Sequence, residues 1–548
     1  MKQFSVLERG STLQMLSERT FDLLVVGGGI NGAGIARDAA MRGMSVAVIE
    51  KSDFGSGTSS KSSKLVHGGV RYLEHYQFGL VHEASIERRV LLDIAPHLVK
   101  PLGFLMPVFR GGRHGPFFIN LGLWLYDALA MFGNVRMHKS LGTADFARMA
   151  PGLRSSDLAG GALFYDAQTD DSRLTLETLR AAWHEGALAL SHATVSGFLS
   201  NAGKVCGVEV EDRLGGGRLT VSGRVVVNAT GPWSDDVRRR LAADSKDLLR
   251  LTKGVHIVLP PGVKDLEHAI VLISPIDGRV LFAIPWDGTL LVGTTDTDFD
   301  GEIDRPVATN DEVTYLLETL RSYFPDLTAT SADVVGTFAG LRPLLAADGS
   351  SSASAVSREH KLVEESSGLL TLVGGKLTTY RKMAEEVVDR VAAKLRSEHG
   401  IQSRQSCRTA RVPIRHFAAG GGRDGLLRGA SGVPPEAMQR FAARFPGEED
   451  LLAALAREDR SLAVPLSPRS PYLAAEIVFA CTHEMAATLP DLMIRRTRLF
   501  YREPDQGLSL APRVADLASA ALGWSAAERS RQLELFTRAV AESRSFRA

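Results

Sequence analysis

The sequence predicts an α/β protein in which a parallel-sheet domain is interleaved with a β-rich domain and followed by an all-helical C-terminal domain. Three observations predict this organisation. An apolar run leads into a glycine-rich turn and a helix near residue 27, short alternating strands occupy about 190–230 and 251–344, and Ala, Leu, Arg and Glu dominate after about residue 400. A chain of 548 residues, 44% of them hydrophobic, can bury the cores of several domains.

The domain boundaries follow from where these patterns change. Residues 1–20 carry charges throughout and lack the apolar core of a secretory signal, so we expect an extension before the fold. We expect the parallel-sheet domain at residues 21–95, 171–250 and 346–395, the β-rich domain at 96–170 and 251–345, and the helical domain at 400–548.

The first element is the stretch "LLVVGGGINGAGIARDAAMRG". Residues 23–26 predict a buried parallel strand and residues 30–42 a helix, which places Gly27, Gly29 and Gly32 at the junction. Gly27 permits a tight turn, Gly29 lets a pyrophosphate approach the main chain, and Gly32 lets the helix pack closely on the strand. The pattern predicts a Rossmann-type dinucleotide site.

Two neighbouring features support that site. Ile30 and Asn31 open the helix, whose N-terminus would face the phosphate charge. A second strand, "MSVAVIE", ends in Glu50, about 20 residues after the glycines, where such folds place an acceptor for ribose hydroxyls.

Composition narrows the functional classes. The 64 Lys and Arg residues nearly balance the 63 Asp and Glu residues, so we expect no nucleic-acid partner. Cys206, Cys407 and Cys481 lack the paired spacing of a metal site, and their odd number argues against a disulfide framework. We therefore expect no metal and a reducing, cytoplasmic environment.

No segment supplies the roughly 20 apolar residues that cross a bilayer. The nearest is "PFFINLGLWLYDALAMFG", residues 116–133, which contains Asp127 and has basic flanks. Its aromatic and aliphatic residues suit a helix that lies in the membrane interface. A buried helix or a dimer face is the alternative.

A hydroxyl-rich loop, "DFGSGTSSKSSKLVHGG", follows the first βαβ unit. The side chains of Thr58, Ser59, Ser62 and Lys64 are candidates to contact a pyrophosphate or ribitol, although such loops are often solvated connectors. Leu65 continues the same stretch.

Two later junctions repeat the combination of strand, glycine and helix. "RVVVNATGPW" ends a strand at Thr230 and Gly231, and "LTLVGGKLTTYRKMA" places Lys376 directly after Gly375. Main-chain N–H groups at the second junction, which includes Leu377 and Thr378, could bond the O2 side of an isoalloxazine ring. Three junctions favour a long cofactor, and therefore a flavin over a nicotinamide.

Several stretches together resemble one family. "VVGGGINGAGIARDAAMRG", "SSKLVHGGVRYLEHYQFGLVHEA", "GTFAGLRPLL", "GGKLTTYRKMA" and "DLMIRRTRL" are similar, in order and position, to the flavin-dependent glycerol-3-phosphate dehydrogenases. The resemblance covers about residues 20–500. It implies a fold of the D-amino-acid-oxidase and glutathione-reductase type, noncovalent FAD, and oxidation of sn-glycerol 3-phosphate to dihydroxyacetone phosphate.

The resemblance also implies partners and a location. Electrons would pass to ubiquinone or menaquinone, and the protein would associate peripherally with lipid at the cytoplasmic face of the inner membrane while remaining partly cytoplasmic. A homodimer is a further expectation.

This reaction needs cations for the phosphate dianion. Arg71 and Arg342 are the candidates, and the resemblance places substrate contacts at both positions. If "VHGGVRYL" opens a helix, His67 and Arg71 share a face with Tyr72 adjacent, so His67 and Tyr72 would orient the substrate. Internal ion pairs are the alternative fate of either arginine.

The reaction also needs a base and stabilisation of the reduced flavin. His256 is preferred over His67 as the base, with Arg342 assisting at the carbinol oxygen, but a strand histidine is often a hydrogen-bonded core residue. Lys376 would stabilise negative charge on the flavin, or it is a solvated lysine. The run "RRTR" at 495–498 would bind phospholipid or pair with acidic residues between domains.

Other functions remain compatible with the same scaffold. An oxidase would pass electrons to oxygen, and an amine oxidase of the sarcosine or glycine type would share the glycine-rich start. A flavoprotein without catalytic activity could act as a binding module.

Overall fold

The computed structural model describes residues 3–112, 114–346, 360–414, 432–468 and 470–547. Its strands are β1 Thr20–Val26, β2 Val46–Ile49, β3 Leu65–Val66, β4 Val99–Phe109, β5 Lys139–Leu141, β6 Leu158–Thr169, β7 Leu188–Leu190, β8 Ala193–Asn201, β9 Lys204–Asp212, β10 Arg218–Asn228, β11 Leu249–Leu259, β12 Ala269–Ile273, β13 Val280–Trp286, β14 Thr289–Gly293, β15 Thr297–Asp298, β16 Gly336–Leu345, β17 His360–Glu364 and β18 Leu370–Gly374.

The described α-helices are α1 Arg9–Glu18, α2 Ile30–Met41, α3 Phe78–Ile94, α4 Pro116–Leu129, α5 Thr143–Met149, α6 Asp171–His184, α7 Ser234–Leu241, α8 Asn310–Tyr323, α9 Tyr380–His399, α10 Pro435–Arg444, α11 Glu449–Glu458, α12 Ala474–His483, α13 Leu499–Arg502, α14 Ala511–Leu522 and α15 Ala526–Ser543. A π-helix spans Asp491–Arg496, and 3₁₀ turns include Val70–His75 and Leu377–Thr379. In the part of the chain that is described, no helix has the length and apolar content to cross a membrane.

The first sheet has the strand order β17-β18-β10-β1-β2-β7, with β8 and β9 extending from β10. Strands β18, β10, β1, β2 and β7 are parallel. Helices α2, α6 and α9 pack on one face of this sheet, and α1 with strands β8 and β9 packs on the other, so its apolar residues are buried on both faces. Its strands come from the three separated segments that the sequence assigned to one domain. Residues 347–359 of the third segment lie outside the described residues.

The second sheet has the order β15-β11-β14-β13-β12-β4-β6-β3, with β16 paired to β11 and β5 to β6. Asp287 and Gly288 both have positive φ, 51° and 81°, and close the β13–β14 hairpin. Strand β3 joins this sheet through β6, although its residues precede the predicted boundary at 95. The chain therefore crosses between the sheets immediately before His67.

The N-terminal segment packs on the fold rather than preceding it as an extension. Phe4 is 2% exposed, Leu16 is fully buried, and α1 contacts β7 and β10. The Ser5 hydroxyl donates to the carbonyl oxygen of Cys481 in α12. The scattered charges therefore did not indicate its packing: Phe4 and Leu16 face the core and Arg9 pairs with Asp212, while Leu7 is 53% exposed.

Buried ion pairs join the helical region after residue 400 to the domain that contains the first sheet. Arg496 donates to both oxygens of Asp53 at 2.8 Å, and Arg495 pairs with the same carboxylate. Arg498 pairs with Asp170. The arginines of residues 495–498 therefore pair between domains, which is one of the two roles that the sequence allowed. The predicted fold class is confirmed.

Candidate active site

A cavity of about 1810 Å³ lies where the two sheets meet. The residues predicted to bind the cofactor line it with two exceptions, Gly32 and Lys64. Those that do so are Gly27, Gly29, Ile30, Asn31, Glu50, Thr58, Ser59, Ser62, Leu65, Thr230, Gly231, Gly375, Lys376, Leu377 and Thr378. The three glycine junctions, which are far apart in sequence, thus face one space.

The first glycine turn has the geometry that a dinucleotide needs. Gly27 has φ +110°, and a Cβ there would lie 2.6 Å from the carbonyl oxygen of Ala229. A Cβ on Gly32 would lie 1.9 Å from the carbonyl oxygen of Gly27, so Gly32 allows α2 to approach β1 closely. Gly32 thus has a packing role and does not line the cavity. Bare main chain at Gly29 opens the N-terminus of α2 to the cavity. The residues present fit the diphosphate of a dinucleotide.

Glu50 braces this turn. Its Oε2 accepts from the N–H of Gly28 at 2.6 Å and its Oε1 from the N–H of Ser52 at 2.8 Å. Burial raises the pKa of the Glu50 carboxyl against the lowering effect of these hydrogen bonds. Carboxylate oxygens have further lone pairs, so the group retains capacity for a ribose hydroxyl.

Lys64 does not contribute its ammonium to the cavity, which corrects the sequence prediction. The side chain is 2% exposed and pairs with Asp171 at 2.7 Å. Lys64 has φ +59°, a turn conformation, and its ammonium lies 4.9 Å from the ring centroid of Phe338. Ser62 also donates to Asp171, at 2.7 Å, while remaining on the cavity wall.

The predicted substrate residues His67, Arg71, Tyr72, His256, Arg342 and Lys376 all line the same cavity. His67 precedes Gly69, which has φ +81° and starts the 3₁₀ turn Val70–His75. His67 and Arg71 therefore do not share a helix face, contrary to the expectation from their spacing. The Lys376 ammonium lies 3.7 Å from the ring centroid of Tyr72, a cation–π contact.

Arg342 is held by an internal ion pair. Its Nη1 donates to Asp296 at 2.9 Å, and its Nη2 donates to the Thr294 hydroxyl and the Thr295 carbonyl, each at 3.0 Å. This is the alternative that the sequence left open, yet the residue also lines the cavity. A Cβ on Gly254 would lie 2.2 Å from Nη2, so that glycine leaves room for the guanidinium.

His256 lies on β11 and is 2% exposed. Its ring stacks on Phe338 with centroids 4.8 Å apart, and its Nε2 lies 2.9 Å from the Ser63 hydroxyl. In the described ranges, Nδ1 is buried and has no hydrogen-bond partner. Burial, followed by the charges of Arg342 and Lys64, lowers the pKa of His256 well below its usual 6.5. The imidazole is therefore neutral at pH 7, as a proton acceptor must be.

Sequence reasoning missed two residues of this site. Ser63 was quoted within a serine-rich run, but nothing in that run distinguishes it from its neighbours. Asp166 accepts from the N–H of Gly68 at 3.1 Å, from the Tyr126 hydroxyl at 2.8 Å and from Arg88. It therefore connects the loop after His67 to helix α4.

Helix α4 presents an apolar face to solvent. Phe117 is 82% exposed and Trp124 52%, and the neighbouring Tyr76 is 80% exposed. Phe118 and Trp124 also line the cavity, so the apolar face and the cavity are continuous. Asp127, by contrast, is 1% exposed and pairs with His138 at 2.6 Å, which hides its charge.

Comparison with known proteins gives concordant matches. Residues 22–381 match the family described as FAD dependent oxidoreductase, and residues 370–529 match the C-terminal domain of alpha-glycerophosphate oxidase. The aerobic glycerol-3-phosphate dehydrogenase of Staphylococcus haemolyticus (strain JCSC1435) is 37% identical over 508 residues, which cover 91% of this chain and 90% of that protein.

The glycerol-3-phosphate dehydrogenase of Mycobacterium leprae (strain TN) is 37% identical over 543 residues, which cover 97% of this chain and 90% of that protein. Among solved structures, the glycerol-3-phosphate dehydrogenase from Bacillus halodurans complexed with FAD has a TM-score of 0.81 and 32% identity. That match covers 99% of this chain and 98% of the other. Both predicted parts, the nucleotide-binding region and the helical C-terminal region, thus have counterparts.

Proposed function

The chain belongs to the FAD-dependent glycerol-3-phosphate dehydrogenase and oxidase family, and from that premise we propose that it oxidises sn-glycerol 3-phosphate to dihydroxyacetone phosphate and passes the electrons to a membrane quinone. The cofactor is FAD, as the sequence predicted. An amine oxidase and a flavoprotein without activity are the alternatives from other classes.

The observation that carries this proposal is the set of cations that line one cavity with a neutral histidine. Arg71, Arg342 and Lys376 share the wall with His256. Charge-assisted hydrogen bonds from guanidinium groups suit a phosphate dianion. These three cations favour a substrate with a dianionic phosphate over one that carries no negative charge.

FAD, when bound, supplies a two-electron acceptor for the hydride that leaves C2 of the alcohol. Arg71 and Arg342 bind the phosphate, and the Asp296 contact fixes the direction of the Arg342 guanidinium. His256 takes up the carbinol proton, and its lowered pKa keeps the imidazole unprotonated before the reaction. Lys376, on the cavity wall, would add positive charge that stabilises the reduced flavin.

An anaerobic assay tests the reaction. The yellow protein should lose its flavin absorbance when mixed with glycerol 3-phosphate and keep it with glycerol or sarcosine. His256→Gln should slow bleaching by about 10²- to 10⁴-fold while FAD stays bound. Persistent colour with glycerol 3-phosphate would contradict the proposal, and bleaching by sarcosine would favour an amine substrate.

The quinone and the membrane surface are part of the same proposal. The exposed apolar face of α4 is continuous with the cavity, so a lipid-soluble acceptor could enter from the bilayer without crossing water. We place the protein peripherally at the cytoplasmic face of the inner membrane, with a soluble fraction. Oxygen as the acceptor, as in an oxidase, is the alternative.

Vesicle binding tests the surface. The double variant Phe117→Ser, Trp124→Ser should lose flotation with phospholipid vesicles and reoxidation by a quinone in vesicles, while bleaching by glycerol 3-phosphate persists. Leu451→Ser, at a 40% exposed position on α11, is the matched control. Unchanged flotation would contradict the surface, and a change from dimer to monomer in sedimentation would identify a homodimer face instead. Rapid peroxide formation without quinone would indicate an oxidase.

A further inference from the structure

We propose that the hydroxyl of Ser63 receives the carbinol proton of the substrate and relays it to His256. The inference rests on the proposed function and extends it by one catalytic residue. Ser63 lies on the loop that crosses from the first sheet's domain to the second sheet, and it lines the cavity.

The proposal depends on how open the two imidazole nitrogens of His256 are to the cavity. His256 is 2% exposed, and its Nδ1 is buried without a partner in the residues described. Its Nε2 lies 2.9 Å from the Ser63 hydroxyl oxygen. His256 and Ser63 both line the cavity, but Nδ1 is buried and Nε2 already contacts the Ser63 hydroxyl, so neither imidazole nitrogen is open to a substrate.

The ring cannot easily turn toward the cavity. Phe338 stacks on one face with an interplanar angle of 16°, and Gly293 on the neighbouring strand packs so closely that a Cβ there would lie 2.2 Å from Cδ2 of His256. A direct proton transfer from substrate would require this packed ring to move, whereas transfer through Ser63 requires no movement of the ring.

Ser63 is itself held in place by its neighbours. The main-chain N–H and the hydroxyl of Ser62 both donate to Asp171, and the Lys64 ammonium pairs with the other oxygen of that carboxylate. Asp171 is fully buried at the start of α6. Asp171 thus binds the residues on both sides of Ser63, Ser62 and Lys64, and holds the backbone between them in place.

The relay moves two protons and one hydride. The carbinol O–H bond breaks and its proton goes to the Ser63 oxygen, while the hydrogen of Ser63 goes to Nε2 of His256. The C2–H bond breaks and its electron pair leaves as hydride to FAD, the oxidant of this family, so the C–O bond becomes C=O. Ser63 ends as a neutral hydroxyl and His256 as an imidazolium, and the relay therefore requires Nε2 to be unprotonated beforehand.

Rapid-mixing flavin reduction by glycerol 3-phosphate, without oxygen, tests the relay. Ser63→Ala should reduce the rate at saturating substrate by about 10²-fold or more with the dissociation constant of the substrate unchanged. Ser60→Ala, at a buried hydroxyl in the same loop outside the cavity wall, is the matched control and should behave as wild type.

A double-mutant cycle distinguishes a relay from a structural role. Adding Ser63→Ala to His256→Gln should cause no further loss, because both changes break one path. Independent, multiplying losses would overturn the relay, as would a Ser63→Ala variant within threefold of wild type. A loss confined to substrate affinity would overturn it too.

A second readout does not depend on turnover. Nitrogen-15 spectra of histidine-labelled protein, with His256 assigned by its absence in His256→Gln, should show unprotonated Nε2 in wild type and a shifted Nε2 resonance in Ser63→Ala. A protonated Nε2 in wild type would overturn the relay. If glycerol 3-phosphate does not bleach the flavin of the wild-type protein, both the proposed function and the relay are wrong. Bleaching in wild type with an unimpaired Ser63→Ala variant overturns the relay alone.

Discussion

Replacing Gly32 with alanine tests the packing that opens the cofactor site. The added Cβ would lie 1.9 Å from the carbonyl oxygen of Gly27 and 3.3 Å from a methyl group of Val25. The obstructing atom belongs to the backbone and cannot rotate away, so α2 and β1 must separate. Overpacking of this kind costs about 1 to 3 kcal/mol, and we expect the upper end here.

The measurement is FAD affinity. Because the separation moves the N-terminus of α2 from the turn at Gly27, the strain falls on the geometry that binds the diphosphate. A loss of about 3 kcal/mol corresponds to a dissociation constant roughly 100-fold higher. Titration of FAD into apoprotein, followed by the quenching of flavin fluorescence, gives this value directly.

The matched control is Gly79→Ala in α3, where an added Cβ meets nothing within 4 Å. It should leave FAD affinity unchanged, and alanine suits a helix better than glycine. Wild-type affinity and thermal stability in Gly32→Ala would refute the reasoning, since they would mean that α2 and β1 are not in close contact in the FAD-bound protein.

Three further predictions concern charge. Asp53→Asn should lower the free energy of unfolding by about 3 to 5 kcal/mol, because it leaves the buried Arg496 guanidinium without its ion-pair partner. Urea unfolding measures this loss, and Asp145→Asn, in the exposed pair with Arg148, is the control that should cause no measurable change. Burial lowers the pKa of His192, but its ion pair with Asp491 at 3.1 Å outweighs burial and raises the pKa above 6.5. This stabilisation is complete below pH 6.5 and is lost as pH rises through the raised pKa, so His192→Gln should flatten the fall of melting temperature above pH 6.5. Lys376→Met should lower the flavin reduction potential, by about 30 mV for each 1.4 kcal/mol of lost stabilisation, and an unchanged potential would contradict its electrostatic role.

The sequence predicted those parts of the fold that local patterns determine. The β1 strand, the glycine turn and α2 occur where the apolar run, the glycines and the helical composition placed them. The β13–β14 hairpin also turns at a local signal, the Asp287–Gly288 dipeptide, in which both residues have positive φ. In each case the physical cause lies within about ten residues, so a single segment carries enough information.

Expectations failed where a long-range contact outweighs local spacing. The spacing of His67 and Arg71 suggested one helix face, but Gly69 adopts a left-handed conformation and β3 pairs with β6 just before it. The Lys64 ammonium was expected at the cofactor and instead meets Asp171, 107 residues later. The charged composition of residues 1–20 predicted an extension, but Phe4 is buried through contacts with distant parts of the chain that no local pattern describes.

The same reasoning explains why the cavity wall was predicted better than the partners behind it. A residue on the cavity wall often belongs to a turn or strand end with a recognisable pattern, as Gly27 and Lys376 do. A residue that positions another side chain needs only proximity in space: Ser63 and His256 are 193 positions apart, and Asp166 and Gly68 are 98. Because serine and aspartate are common in loops and strand ends for solvation alone, their positions acquire meaning only once the sheets are assembled. The Ser63–His256 contact therefore becomes apparent only once the loop before β3 meets strand β11, whereas the first glycine turn is recognisable from the strand and helix beside it.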